Sequence, residues 1–271
     1  MKIRSESAKT SIAGFTAKQR SLLFAELSAI AYMEPAAAKP LAKKLGFTQT
    51  EFYSVDGAQA YRFQNTRDCV IVCRGTEPTC FNDIAADLKA YPVPSDSKGR
   101  VHRGFKKETD DLWPKVKEDL PNLKKQQLWF AGHSLGAAMA TIMASRCWYD
   151  HSLSDPEELY TYGSPRVGWR AFVDTLAVKH HRWVNNNDIV TRVPLWLMGY
   201  RHDGETHYIN AFGNVRELTG WQRTKDRFRG LWLGLLQGSV DSFADHSIGD
   251  YVEHIYQHSK DCYNKQSENC L

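Results

Sequence analysis

Residues 128–140 read Leu128-Trp129-Phe130-Ala131-Gly132-His133-Ser134-Leu135-Gly136-Ala137-Ala138-Met139-Ala140. An apolar run ends at Ala131, a Gly-x-Ser-x-Gly turn follows, and helix formers come next. The spacing predicts a strand over 127–131 and a helix over 135–149. The turn between them crowds Ser134 from two residues before and two after, and glycine at 132 and 136 relieves that crowding. Such a turn holds the Ser134 hydroxyl outward above a helix N-terminus. Free N–H groups and the positive dipole end gather there, where negative charge can develop. A bare Gly-x-Ser-x-Gly is a weak pattern, and the strand–turn–helix setting is what makes this one specific.

Outward from this segment the pattern stays layered. Residues 18–33 place Leu22, Leu23, Leu27, Ile30 and Ala31 at helical spacing, and Glu34-Pro35 should end that helix. A weaker helix is expected over 35–45. Segments 51–55, 60–64 and 68–73 read as strands, the first two joined at an Asp56-Gly57 hairpin turn. The run from Cys69 to Cys73 is apolar throughout, which suits a central strand covered on both faces. Residues 105–120 are amphipathic, and Pro114 should kink that helix or begin a new one. Further strands are expected at 159–162 and 182–184, with helices near 169–178 and at 248–257. Alternating strands and helices imply an α/β fold with a central, mostly parallel sheet flanked by helices. No linker or repeat interrupts the pattern, so residues 1–271 read as a single domain.

Composition narrows the function classes. The chain has 271 residues, 42% hydrophobic and 24% charged, enough for one large core. A net charge of +4, from 35 basic and 31 acidic residues, makes a weak case for nucleic acid, and no reader module is present to strengthen it. No apolar run reaches the length of a transmembrane segment. Residues 1–15 lack the apolar stretch of a signal peptide. The expected location is therefore cytoplasmic, or secreted if a leader is missing from this chain. Six cysteines are too few for a disulfide scaffold. Cys69 and Cys73 lie about 13 Å apart along one strand face, which points to core packing. Cys262 and Cys270, in a polar tail, are the pair positioned to bridge. No histidine or cysteine spacing matches a structural zinc site, and no metal or cofactor is expected.

A serine alone is a poor nucleophile and needs a histidine and an orienting acid. On elbow-bearing sheets these follow the serine, acid first. His102 and His133 precede Ser134, and His151 follows it too closely. That leaves His180, His181, His202, His207, His246, His254 and His258. Asp188 stands in a loop just after the strand Arg182-Trp183-Val184, at the strand end where such sheets build their sites. Its plainer reading is an Asx turn. The backbone N–H of Leu135, directly after the serine, is placed to bind an oxyanion.

Seven stretches in order extend the pattern: VIVCRGTEP (70–78), ADLKAYPV (86–93), VHRGF (101–105), LWFAGHSLGAA (128–138), LYTYGSPRVGWRAF (159–172), VNNNDIVTRVP (184–194) and RHDGETHY (201–208). Together they resemble the fungal-type, class 3 lipase family of the α/β-hydrolase superfamily, over roughly residues 20–258. The resemblance implies Ser134 as nucleophile, Asp188 as acid and His246 as base, with His207 the runner-up. It also implies Thr76, after Arg74-Gly75, as the second oxyanion donor. A lid follows this loop in fungal members, and here the matching 77–84 stretch, with Phe81, is short. Ile84 stands where the family has tryptophan, while Asp87 matches the family's aspartate.

Residues 227–240, with Leu231, Trp232, Leu233, Leu235 and Leu236, are more apolar than a surface loop. They read either as a core helix or as a lid and acyl-pocket wall. The implied function is a carboxylic ester hydrolase, foremost a triacylglycerol lipase working through an acyl-enzyme, with a lipid or other ester as partner at a lipid–water interface. Phospholipase, feruloyl-type esterase and acyltransferase share the chemistry. A catalytically silent binding protein with the same fold is the alternative from another class.

Overall fold

The computed structural model describes residues 1–75, 91–120, 126–216, 222 and 244–268, with 261–268 by backbone alone. In chain order the first strands are β1 (Gln49–Val55), β2 (Ala58–Gln64), β3 (Asp68–Cys73), β4 (Pro92–Pro94), β5 (Arg100–His102) and β6 (Gln127–His133). After them come β7 (Pro156–Tyr162), β8 (Gly168–Trp169), β9 (Lys179–Asn185), β10 (Tyr200–Arg201), β11 (Glu205–Ile209) and β12 (Val215–Arg216). The helices are α1 (Ala17–Ile30), α2 (Pro35–Lys44), α3 (Arg103–Asp119), α4 (Leu135–Tyr149), α5 (Arg170–Val173) and α6 (Ile248–Glu268).

Among the described residues, the main sheet runs β1-β2-β3-β6-β7-β9-β11-β12. Its centre, from β3 through β11, is parallel, and antiparallel hairpins close both ends. A small antiparallel sheet, β10-β8-β5-β4, lies beside it.

β3 shows why the sheet needs cover on both sides. All six of its residues are buried. Cys69, Ile71 and Cys73 point into one apolar cluster, with Phe105, Leu112 and Val116 of α3 and Met139 and Met143 of α4. Val70 and Val72 point into the other, with Leu23 and Leu27 of α1, Ala38 of α2 and Tyr251 and Ile255 of α6. Each Val or Ile so buried contributes about 1.5–3 kcal/mol. The two thiols and Cys147 are free and buried, and burial pushes the Cys69 and Cys73 thiols up to about 12, as core packing requires. Cys270 and the Cys262 side chain lie outside the described residues.

Local signals fix the ends. Thr16 and Gln19 form a reciprocal capping box at the start of α1, an arrangement worth on the order of 1 kcal/mol. Asp56 and Gly57 both take positive φ, 53° and 91°, as a two-residue hairpin turn needs.

Three expectations are corrected. Pro114 does not start a second helix: α3 runs through it, with Leu112 and Val116 on either side buried. The helix expected near 169–178 shrinks to Arg170–Val173. It stops where the Thr175 hydroxyl takes the Ala171 carbonyl at 2.9 Å and the Phe172 carbonyl at 3.1 Å, in competition with the helix's own bonds. The terminal helix continues past 257 to Glu268.

Two histidines inside this frame are hydrogen-bonded. His202 donates from Nε2 to the Thr191 carbonyl at 2.7 Å. Burial, then the nearby Arg182 and Arg166, holds its imidazole well below the usual 6.5. His133 is depressed by burial and by His246 beside it. Both rings stay neutral in the fold and protonate near 6.5 once unfolded. As pH falls below about 6.5 the unfolded state binds more protons and stability is lost. His202→Gln keeps an N–H donor without titrating. Its urea midpoint should fall less between pH 7.5 and 5 than that of the wild type, and equal slopes would refute the assignment.

Candidate active site

β6 carries the chain to His133, and α4 begins at Leu135. Ser134 between them sits at φ 59°, ψ −130°, a backbone that L side chains rarely adopt. Such strain costs on the order of 1–3 kcal/mol and persists only where its surroundings impose it. Here the Ser134 N–H bonds the Tyr162 carbonyl of β7 at 3.0 Å, and the Ser134 carbonyl takes the Ala137 N–H at 3.0 Å. Glycine is needed on both sides for packing as well as for local crowding. A Cβ on Gly132 would overlap the Gly136 carbonyl, and one on Gly136 would overlap the Cys73 carbonyl at the end of β3. Leu135 is the first residue of α4, so its N–H is among those no intrahelical acceptor reaches.

Asp188 follows β9 in the loop 186–189 and has no solvent exposure. His246 Nδ1 lies 2.9 Å from Asp188 Oδ2 and 3.0 Å from Oδ1. The Tyr251 hydroxyl donates to Oδ2 at 2.6 Å, and the Val190 N–H donates to Oδ1 at 2.9 Å. The same Tyr251 oxygen accepts the Asn185 N–H at 2.9 Å. Burial and the adjacent carboxylate raise the Tyr251 phenol well above its ordinary value, so it remains a donor. Two neighbouring asparagines fix the segment before His246: Asn185 Nδ2 reaches the Asp245 carbonyl at 3.0 Å, and the Asn187 N–H reaches the Asp245 carboxylate at 3.1 Å.

The serine and the histidine are tied through His133. Tyr32 bonds His133 Nδ1 at 2.7 Å, and His133 Nε2 bonds the His246 backbone carbonyl at 2.7 Å. A phenol donating at Nδ1 and a ring N–H donating at Nε2 satisfy both contacts with a neutral imidazole. The His133 and His246 rings lie 4.5 Å apart. Gly163, at φ 59°, passes beneath the pair, and a Cβ there would stand 2.7 Å from Asp188 Oδ2 and 2.9 Å from His246 Nδ1. Gly75 is pressed against Ser134 itself, since its Cβ would fall 3.0 Å from Ser134 Cβ and overlap the Tyr32 hydroxyl.

Asp188 and His246 are thus joined beyond the end of β9, and His133, which precedes Ser134 at the end of β6, bonds the His246 carbonyl. His207, the other candidate base, is elsewhere. It lies on β11, 3.0 Å from His181 Nδ1 and stacked on Trp183. Thr76, Phe81, Trp232, Leu233 and Leu236, with the whole 227–240 segment, lie outside the described residues.

A ring whose Nδ1 is held by a buried carboxylate presents Nε2 as its basic atom, suited to take a proton from a hydroxyl. The sequence alone assigned no positioning role to Tyr251, His133, Tyr32, Gly163 or the asparagines. Signals for some were present: three asparagines before one aspartate, and a glycine directly after a strand.

This geometry can be set beside known proteins. The profile of the family described as lipase (class 3) matches residues 70–198, which include Ser134 and Asp188. Over that segment the chain is similar to the class 3 lipase family. It is 31% identical over 182 residues to a lipase of Rhizomucor miehei, covering 62% of this chain and 50% of that one. It is 34% identical over 146 residues to the toxin TseL of Vibrio cholerae, covering 53% of this chain and 23% of that one. The chain thus spans half or less of the length of these curated relatives. A solved structure of the Rhizomucor miehei triacylglyceride lipase superposes with a TM-score of 0.61 at 26% identity, over 72% of this chain and 82% of that one.

Within this lipase fold, Tyr251 is a positioning residue for Asp188. Tyr251→Phe removes one of the carboxylate's hydrogen bonds, worth about 1.5–3 kcal/mol to a charged group. The rate of Ser134 labelling by a fluorophosphonate should fall about tenfold or more while circular dichroism stays unchanged. An unaltered rate would remove Tyr251 from the site.

Proposed function

We propose that this chain is a serine carboxylic ester hydrolase acting on acylglycerols. One observation carries the reading: a buried Asp188–His246 pair stands beside a serine held in a strained strand-to-helix turn. In this mechanism His246 takes the Ser134 proton as the hydroxyl attacks the ester carbonyl, then returns it to the leaving alcohol. Asp188 holds the imidazole tautomer and stabilises its cation. The Leu135 N–H, with Thr76, binds the oxyanion. Water, deprotonated by the same histidine, then releases the acid from Ser134. Ser134→Ala should abolish hydrolysis of a p-nitrophenyl ester series from acetate to palmitate and leave the thermal midpoint near that of the wild type. Near wild-type turnover would overturn the assignment.

The substrate class rests on the family and on an exposed apolar loop. Just after the Asp188 segment, Leu195, Trp196, Leu197 and Met198 are 49%, 59%, 74% and 37% exposed, and Ile189 is 38% exposed. Large apolar side chains grouped in this way beside a site favour a substrate presented at a lipid surface. No helix among the described residues is long and apolar enough to cross a membrane, so this contact would be peripheral. The double variant Trp196→Ser, Leu197→Ser should lose severalfold activity on emulsified triacylglycerol and keep its rate on soluble p-nitrophenyl acetate. Equal rates on the emulsion would remove the loop from substrate contact, and parallel assays on phospholipid vesicles would expose a preference for that ester instead.

A further inference from the structure

Away from the triad, three metal-ligating side chains converge at the edge of the parallel sheet. His181 of β9 and His207 and Glu205 of β11 each offer one ligand atom, and these atoms all lie within 4.8 Å of one another. The strand register brings this about: Glu205 pairs with His181, and His207 sits one pleat further along, beside Trp183, on the same face. His181 Nδ1 and His207 Nε2 are 3.0 Å apart. A Glu205 carboxylate oxygen is 3.7 Å from the same His181 nitrogen. Donors about 2.0–2.1 Å from a zinc ion stand roughly 3.3 Å apart at tetrahedral angles, and the two spacings bracket that edge.

A second observation comes from behind the ring. The other His181 nitrogen, Nε2, is buried and faces the Glu158 carboxylate of β7 at 3.7 Å. Glu158 itself is held in place by Arg20 at 3.1 Å, Lys179 at 3.3 Å and the Tyr160 hydroxyl, which donates to it at 2.6 Å. A carboxylate behind one nitrogen of an imidazole keeps the proton on that side and turns the other lone pair outward, as it does behind metal-bound histidines. Tyr160 stacks on the His181 ring at 4.6 Å and Trp183 on the His207 ring at 4.8 Å, so both rings are fixed in orientation. Glu205 is exposed and gives solvent a way in. The nearby cations are already engaged: Lys179 and Arg20 on Glu158, and Arg182 on the Thr206 hydroxyl.

We propose that His181 Nδ1, His207 Nε2 and the Glu205 carboxylate form a binding site for a divalent transition-metal ion of the zinc class, backed by Glu158 and clipping β9 to β11. Two imidazoles and one carboxylate suit zinc, cobalt or nickel and disfavour magnesium and calcium, which take oxygen ligands. On binding, the cation takes both ring lone pairs, and His207 carries its proton on Nδ1. Water completes the coordination from the open side. No spacing within one segment announces this site, because its ligands come from two strands that the fold pairs.

The test is titration of the EDTA-treated full chain with zinc chloride by calorimetry, with magnesium chloride as control, and with cobalt chloride followed by visible absorption. Wild type should bind one equivalent of zinc, ignore magnesium and develop cobalt ligand-field bands. Glu205→Gln should weaken zinc binding at least tenfold. This residue is exposed, so the variant isolates ligation from folding, checked by an unchanged circular dichroism spectrum. His207→Gln should abolish the tight equivalent, and Glu158→Gln should weaken it about tenfold or more. Absence of a saturable equivalent in the wild type overturns the site. Undiminished affinity in both Glu205→Gln and His207→Gln overturns it as well, by placing the zinc on other histidines. Ester hydrolysis plays no part in these readings, so the outcome is independent of the proposed activity.

Discussion

A carboxylate with no contact to water keeps its charge only if protein donors replace the solvent it has lost. At Asp188 those donors are a ring nitrogen, a phenol and a backbone N–H, drawn from His246, Tyr251 and Val190. Satisfying that one group fixes the start of α6, because Tyr251 must reach across to it. It also fixes the loop after β9, because the Asn185 N–H shares the same phenol oxygen. The turn before α6 then has little freedom, since Asn185 and Asn187 hold Asp245 and His133 holds the His246 carbonyl. The sheet supplies the framework: β6 and β9 are separated by β7 alone, so their C-terminal ends come within reach of one another.

Close approach of backbone to backbone is the second requirement. The elbow works because α4 leaves the sheet directly against the end of β3, with no room for a side chain at Gly136. Gly163 does the same beneath the acid and base, and Gly75 beside the serine. The first of these lies in the Gly-x-Ser-x-Gly signature and was readable from it. The other two are explained only by what passes over them in three dimensions.

That division describes what was legible in the chain. The apolar run at β3 and the helix–strand alternation announced a covered parallel sheet, since both are local consequences of burial. Ser134 was readable from its turn, and Asp188 from its place after a strand. His246 was one of seven histidines until family resemblance singled it out, because nothing local distinguishes a base from a packed ring. His207 shows the difficulty: it is half-buried and pushed down to about 4, first by burial and then by His181 beside it, yet its ring partner is His181 and not Asp188. The asparagines and Tyr251 were given no role because their partners are 58 to 66 residues away in sequence. Pro114 does not divide its helix, whose Leu112 and Val116 are buried on either side of it.

The bridge from Tyr32 through His133 to the His246 carbonyl joins positions near the beginning, the middle and the end of the chain. Contacts of such long sequence separation are closed late, after the entropy of large loops has been given up. A chain emerging from the ribosome would therefore have its elbow strand and helix well before it could hold a histidine over them. Under the proposed function, Ser134 would gain its partners only once α6 docks. Recovery of serine reactivity after dilution from denaturant would then mark the final docking step, behind any signal from helix or sheet formation.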